Sequence, residues 1–155
     1  MPRPGPGPVA SGPIASQRAT VDYALSRRAV LQELRTGRTT TTDVCDAHPH
    51  LVRAARHHGA PTGQTCPVCR RVELAHLAYA YGDELGASTG RLRSRPELEA
   101  MAREHGEFRV YVVEVCTGCE WNHLVTSYVL GDGVPRPVPA RRRGGGAAAL
   151  DDELP

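Results

Sequence analysis

The sequence has no lysine, few aromatic residues and no long apolar run. All 19 basic residues are arginine, which we attribute mainly to a bias toward GC-rich codons, although arginine also offers phosphate a planar fork. No stretch approaches the roughly 20 apolar residues that a membrane span needs. The Pro- and Gly-rich start lacks the basic-then-apolar plan of a secretory signal. We therefore expect a cytoplasmic protein that makes no contact with a membrane.

Sequence motifs that support catalysis are also missing. The chain has no serine in a glycine elbow, no His-Glu-x-x-His pair and no phosphate-binding glycine loop. It offers no pair of carboxylates placed to act as general acid and general base. We expect a protein without enzymatic activity and infer no small-molecule substrate.

Charge is distributed unevenly along the 155 residues. Prolines, glycines and arginines are concentrated at the two ends, which predicts disordered tails over residues 1–18 and 134–155. Between Ala19 and Gly133, 13 arginines are outnumbered by 14 aspartates and glutamates. The part of the chain that we expect to fold is therefore not basic, which counts against strongly electrostatic binding of DNA.

Residues 19–62 carry three helix signals. Apolar residues recur with helical spacing over 20–36, and Gly37 is placed to end that helix. A short helix is predicted to begin with Thr42 as its N-cap, and a third helix begins at Pro49 and ends at Gly59. This order is the plan of a helix-turn-helix, which other small helical bundles share.

The second half of the chain alternates strand and helix signals. Residues 73–81 alternate well enough to predict a strand. The β-branched and aromatic runs at 108–115 and 123–130 predict two further strands that form a hairpin. Ser94 and Glu97 form a capping box that opens a helix between the first two strands.

Four of the five cysteines form two Cys-x-x-Cys turns, which we call the first knuckle (Cys66 and Cys69) and the second knuckle (Cys116 and Cys119). In a reducing compartment such pairs indicate metal ligation rather than disulfides. Four thiolates suit tetrahedral zinc and leave it no open position, which predicts one structural Zn²⁺ ion. Iron in a rubredoxin-like electron-transfer site and a thioredoxin-like redox dithiol are the alternatives.

The fifth cysteine, Cys45, forms a Cys-x-x-His pattern with His48, and this pattern could be half of a further metal site. We favour a small buried apolar role for Cys45, because free cysteine packs well in cores. His48 is expected to cap the helix that begins at Pro49.

Several side chains are candidates for contact with nucleic acid or with a protein partner. The arginines could contact phosphate, although solvated helix faces explain most of them. Trp121 either packs over the second knuckle or, with His123, offers a stacking surface for a base. The candidates are Arg27, Arg28, Arg53, Arg56, Arg70, Arg71, Trp121 and His123.

Beside the two knuckles, four stretches carry a family resemblance: Val21-Asp22-Tyr23-Ala24, Asp43-Val44-Cys45-Asp46-Ala47-His48-Pro49, Trp121-Asn122-His123-Leu124 and Ser127-Tyr128-Val129-Leu130-Gly131. Over about residues 21–131 the chain resembles an uncharacterised family of small actinobacterial proteins. This resemblance implies a bacterial, cytoplasmic protein. More generally, the two knuckles look like a zinc ribbon, a module of transcription factors, RNA polymerase subunits and ribosomal proteins.

We therefore predict an α+β protein: a helical segment of about three helices, helix-turn-helix-like, over 19–62, followed over 63–133 by a zinc ribbon. The ribbon is predicted to have about three antiparallel strands with an inserted helix. The expected function is a zinc-stabilised adaptor that contacts nucleic acid or a transcription or translation machine. A protein-interaction module without nucleic-acid contact is the first alternative, and a redox protein is the second.

Overall fold

The computed structural model describes residues 12–138 of the protein, so the predictions for residues 1–11 and 139–155 lie outside the described residues. A short 3-10 segment spans Asp83–Ser88. In chain order, the helices and strands are β1 (Arg18–Asp22), α1 (Ala24–Arg35), α2 (Thr41–Val44), α3 (Pro49–His58), β2 (Ala60–Thr65), β3 (Glu73–Tyr81), β4 (Arg91–Leu92), α4 (Arg95–Glu104), β5 (Phe108–Val115) and β6 (Asn122–Leu130).

The six strands form one antiparallel sheet in the order β1-β6-β5-β3-β2, and the short β4 also pairs with β3. The two knuckles lie in the turns that join β2 to β3 and β5 to β6. None of the helices among residues 12–138 has the length and apolar character that a bilayer span requires.

The predicted division into a helical segment and a separate zinc ribbon is wrong. β1 precedes the three N-terminal helices and β2 follows them, and these two strands form opposite edges of the sheet that contains β3, β5 and β6. The helices pack on the sheet, with α1 against β6 and α3 against β3 and β5. The physical reason is that α1 is too polar for a bundle core, because it buries only Leu31 and leaves Leu25 75% exposed.

The start of the first predicted helix is also wrong, because residues 18–22 form the edge strand β1. Val21 pairs with Ser127, and Asp22 pairs with Thr126. The helix begins only at Ala24, whose backbone N–H donates to the Asp22 carboxylate at 2.8 Å. The spacing of Val21 fits a helical face, but its β-branched side chain also suits a strand, and its place beside β6 makes it part of the sheet.

Most predictions made from local signals are confirmed, but the short helix α2 has Thr40 as its N-cap and not Thr42. β3 and β5 have the predicted bounds, and β5 and β6 pair as a hairpin around the second knuckle. Ser94 caps α4 through the predicted capping box with Glu97. His48 caps α3 by accepting the backbone N–H of His50.

Apolar clusters cover both faces of the sheet. α4 packs on one face against a cluster that includes Phe108 and Val110. α3 packs against a cluster that includes Leu77 and Val115, which lies on the opposite face because successive side chains of a strand alternate. A third cluster contains Leu31 of α1 and the cysteines of the metal site.

Candidate metal centre

The two knuckles are built alike. In each, the backbone N–H of the residue four positions after the first cysteine donates to that cysteine's carbonyl, from Arg70 to Cys66 and from Glu120 to Cys116, both at 3.1 Å. Arg70 and Glu120 have positive φ angles of 56° and 71°, the left-handed conformation that reverses the chain. The shared turn geometry directs two sulfurs from each knuckle toward the same point.

The four sulfur atoms fit a tetrahedral ion. The Sγ atoms of Cys66, Cys69, Cys116 and Cys119 all lie within 4.8 Å of one another. The Cys66 and Cys119 sulfurs are 3.6 Å apart, and those of Cys69 and Cys116 are 3.7 Å apart. Bonds of about 2.3 Å to a tetrahedral zinc ion place sulfurs about 3.8 Å apart, so these residues could hold one metal ion.

Backbone groups support negative charge on the sulfurs. The N–H of Val68 donates to the Cys66 sulfur, and the N–H of Cys119 donates to the Cys116 sulfur, both at 3.4 Å. Such bonds to the ligand atoms orient them and offset part of the thiolate charge. Gly118 lets the knuckles approach closely, because a Cβ atom there would lie 2.7 Å from a methyl group of Val72.

The thiols differ in how readily they ionise. Burial raises the pKa of Cys66 and of Cys119 to about 12, whereas backbone hydrogen bonding from Arg71 lowers the pKa of Cys69 to about 6. Four thiolates held this close repel one another, and a divalent cation removes that repulsion by direct bonding. Metal binding at this site must therefore release protons.

The pair formed by Arg27 and Glu114 connects α1 to the metal centre. Glu114 was not among the predicted site residues. Its side chain is only 3% exposed, and Oε1 accepts from Arg27 Nε at 2.5 Å and from Trp121 Nε1 at 2.8 Å. Trp121 is fully buried beside Cys66 and Cys116. A single acidic residue in the apolar run of β5 is the signal that could have identified Glu114.

The structure changes the set of contact candidates. Trp121 is buried and cannot offer an exposed stacking surface, and the His123 ring stacks on it at 5.9 Å between centroids. Arg27 is engaged by Glu114, while Arg28 is exposed on α1. The structure thus assigns Trp121 to packing, the first of its two predicted roles.

Three of the four remaining arginine candidates lie near the metal centre. Arg70 and Arg71 directly follow the first knuckle and are exposed. Arg56 is exposed on α3, and its guanidinium donates to the carbonyl of Thr117 in the second knuckle at 3.5 Å. Arg53 is exposed one turn earlier on α3. The sequence separates Arg56 from Arg70 and Arg71, but the fold brings all three to one end of the molecule.

Comparison with known proteins gives family membership. Residues 14–144 match DUF5318, a family of unknown function. Uncharacterized protein Rv0049 of Mycobacterium tuberculosis is 48% identical over 126 residues, which cover 81% of this chain and 90% of that protein. Uncharacterized protein Mb0050 of Mycobacterium bovis shows the same identity and coverage. No solved structure matches the chain. These relatives are uncharacterised and actinobacterial, as the resemblance predicts, and the chain belongs to the DUF5318 family of unknown function.

Proposed function

We propose that this protein is a non-enzymatic adaptor of transcription or translation, stabilised by one zinc ion and acting in the cytoplasm. The observation that supports the zinc site is the set of four thiol sulfurs within 4.8 Å of one another. Four protein ligands leave a tetrahedral ion no position for water or substrate, which favours a structural role. The ion would fasten the β2–β3 turn to the β5–β6 turn, at the end of the sheet where Trp121 is buried.

Exposed arginines at the metal end support contact with nucleic acid, RNA polymerase or the ribosome. Arg53, Arg56, Arg70 and Arg71 form no ion pair with any carboxylate of residues 12–138. An arginine that no carboxylate neutralises is available to a phosphate group. The interaction would be local, because residues 12–138 carry 15 arginines against 14 aspartates and glutamates, a net charge of only +1.

Metal analysis tests the structural part of this proposal. We expect elemental analysis of protein purified without added metal to find about one zinc ion per chain. A thiol count under denaturing conditions with chelator should find all five cysteines reduced. Iron in place of zinc, or missing thiols without metal, would instead favour the redox alternative.

A mobility-shift experiment tests the partner. The Arg70→Ala/Arg71→Ala variant should bind mixed RNA or DNA more weakly than the parent at about 50 mM salt, and its salt dependence should become shallower by about one unit for each phosphate that it no longer binds. The matched control, Arg91→Ala/Arg103→Ala, removes the same charge from exposed residues outside the knuckles. Equal weakening in both variants, or no binding by the parent at about 50 or 200 mM salt, would contradict nucleic-acid contact.

An aromatic patch favours the alternative of a protein-interaction module. Tyr79, Tyr81 and Tyr111 line an open cavity of about 380 Å³ together with Val113 and Leu124. Tyr81 is 46% exposed and packs edge-on against Tyr111. Tyrosine is enriched at interfaces because it combines a large apolar ring with a hydroxyl group. If nucleic acid does not bind, this patch is where a protein partner should be sought.

A further inference from the structure

A fifth thiol lies beside the metal centre. The Sγ atom of Cys45 is 3.5 Å from the Sγ atom of Cys119, although Cys45 does not belong to the group of four sulfurs that could share one ion. We propose that a peroxide oxidises Cys119 and Cys45 to a disulfide, which removes one ligand and releases the metal. This inference rests on the proposed four-thiolate zinc site and adds a chemical control over it.

The fold holds Cys45 against the second knuckle. Immediately after Cys45, the Asp46 carboxylate accepts from the Asn122 side chain at 2.9 Å, and the Ala47 N–H donates to the Glu120 carbonyl at 3.0 Å. Immediately before Cys45, α2 is fixed by a capping box. Two hydrogen bonds therefore join the chain that follows Cys45 to the chain that follows Cys119, so the two sulfurs are neighbours because the backbone places them there.

Exposure and contact with Cys45 together select Cys119 as the ligand that forms the disulfide. Cys66 and Cys116 are buried, whereas Cys69 and Cys119 are half-buried and within reach of a small oxidant. Cys45 is the one cysteine outside the ligand set, and the structure describes all five cysteines of the chain. Its sulfur is in contact with that of Cys119. Oxidation at Cys119 is therefore the event that a free thiol can resolve.

The chemistry balances with hydrogen peroxide as the oxidant. The Cys119 thiolate attacks one peroxide oxygen, the O–O bond breaks, and the hydroxide that leaves takes a proton from solvent to become water. The Cys45 sulfur then attacks the Cys119 sulfenic acid, the S–O bond breaks, and the Cys45 proton leaves with the hydroxyl group as a second water. Two sulfurs are oxidised and one peroxide is reduced to two waters.

Loss of Cys119 leaves the metal with three thiolates. Metal affinity and folding are coupled in sites of this kind, so the incomplete site should release the ion. The new bond would also attach the α2 segment covalently to the turn between β5 and β6. A thiol reductant and added zinc should reverse both changes.

The test treats full-length, zinc-loaded protein with hydrogen peroxide beside a chromogenic zinc indicator. We expect the parent to release its zinc, to lose two hydrogen atoms in intact mass, and to yield a peptide linking Cys45 to Cys119. Cys45→Ser and Cys45→Ala should start with the same zinc content as the parent. Both should release zinc more slowly and accumulate oxygen adducts on Cys119 that reductant does not fully reverse.

Each outcome separates the two proposals. If Cys45→Ser releases zinc as fast and as reversibly as the parent, or if peptide mapping finds Cys45 reduced or another cysteine pair linked, this inference is wrong while the zinc site stands. If the parent contains no zinc before peroxide is added, both the zinc site and this inference are wrong.

Discussion

The carboxylate of Glu114 is buried in the sheet and bonded through one oxygen to two partners, Arg27 and Trp121. Removing one member of such a pair leaves the other charge without compensation, and the cost depends on which member stays buried. Arg27 is 27% exposed and can turn toward water, whereas the Glu114 side chain is 3% exposed and cannot. The two members of the pair should therefore respond differently to mutation.

We expect Arg27→Ala to lower the free energy of unfolding by about 3 kcal/mol, because it leaves a buried carboxylate unpaired. Glu114→Gln should cost only about 1 kcal/mol, because its amide oxygen can still accept from Trp121. Denaturant unfolding measures both values. Arg28→Ala is the matched control, since Arg28 is the exposed neighbour and forms no ion pair within residues 12–138. Equal destabilisation by Arg27→Ala and Arg28→Ala would refute the role of the pair.

His76 should make stability depend on pH. Burial lowers the pKa of His76 from its ordinary value of 6.5, an effect that the nearby Glu114 opposes and Arg27 reinforces. As the pH falls through 6.5, the unfolded chain therefore binds a proton at His76 more readily than the folded protein does, so the free energy of unfolding falls.

Replacing His76 with Gln removes that proton linkage. Between about pH 7.5 and 5.5, the parent should lose more stability than His76→Gln when both are unfolded by denaturant in excess zinc. Other pH-dependent groups, including the thiolates, are common to both proteins and cancel in the comparison. Parallel pH profiles would show that His76 is not a source of the dependence.

At the scale of secondary-structure elements, α4 depends on its N-terminal cap. The Ser94 hydroxyl accepts the Glu97 N–H, and the Glu97 carboxylate accepts the Ser94 N–H at 2.6 Å. We expect Ser94→Ala to destabilise the protein by about 1 kcal/mol in thermal or denaturant unfolding. Ser26→Ala, on the exposed side of α1, should have almost no effect. If Ser94→Ala leaves the stability of the protein unchanged, packing alone holds α4 in place.

Local chemistry made α4, α3, β3 and the β5–β6 hairpin predictable. The capping box, the proline at the start of α3, the alternating pattern of β3 and the β-branched runs of β5 and β6 act over a few neighbouring residues, and a single sequence displays them. The two knuckles were predictable for the same reason. The ligand set follows from cysteine spacing, whereas Glu114 and Cys45 join the site only through contacts between distant segments.

The edge strands were not predictable from local signals. β1 and β2 are short and largely exposed, and they contain few of the apolar residues from which a strand is predicted. They form because β6 and β3 offer unpaired backbone groups along their outer sides. The local sequence of β1 and β2 does not show that these partner strands are available. The helical segment resembles an independent unit in sequence because this pairing is invisible in the local pattern.

At the scale of the whole molecule, the metal centre joins parts of the sheet that are far apart in sequence. It connects the turn after β2 with the turn after β5, and α2 and α1 pack against the same cluster. Trp121, the single tryptophan of the chain, lies fully buried in that cluster. Its fluorescence therefore reports on this end of the molecule alone.

Removal of the metal should expose Trp121. A strong chelator at neutral pH should shift the Trp121 emission to longer wavelength and lower the melting temperature, because binding of the ion and folding are coupled. Cys66→Ser should show the same emission without chelator, whereas Cys45→Ser should keep the parent's spectrum in the absence of oxidant. Acid should act in the same direction as chelator, because protons compete with the ion for Cys66 and Cys119, whose pKa values burial raises to about 12. If Cys66→Ser melts like the parent and its Trp121 emission is unchanged, the four thiols do not hold a structural ion.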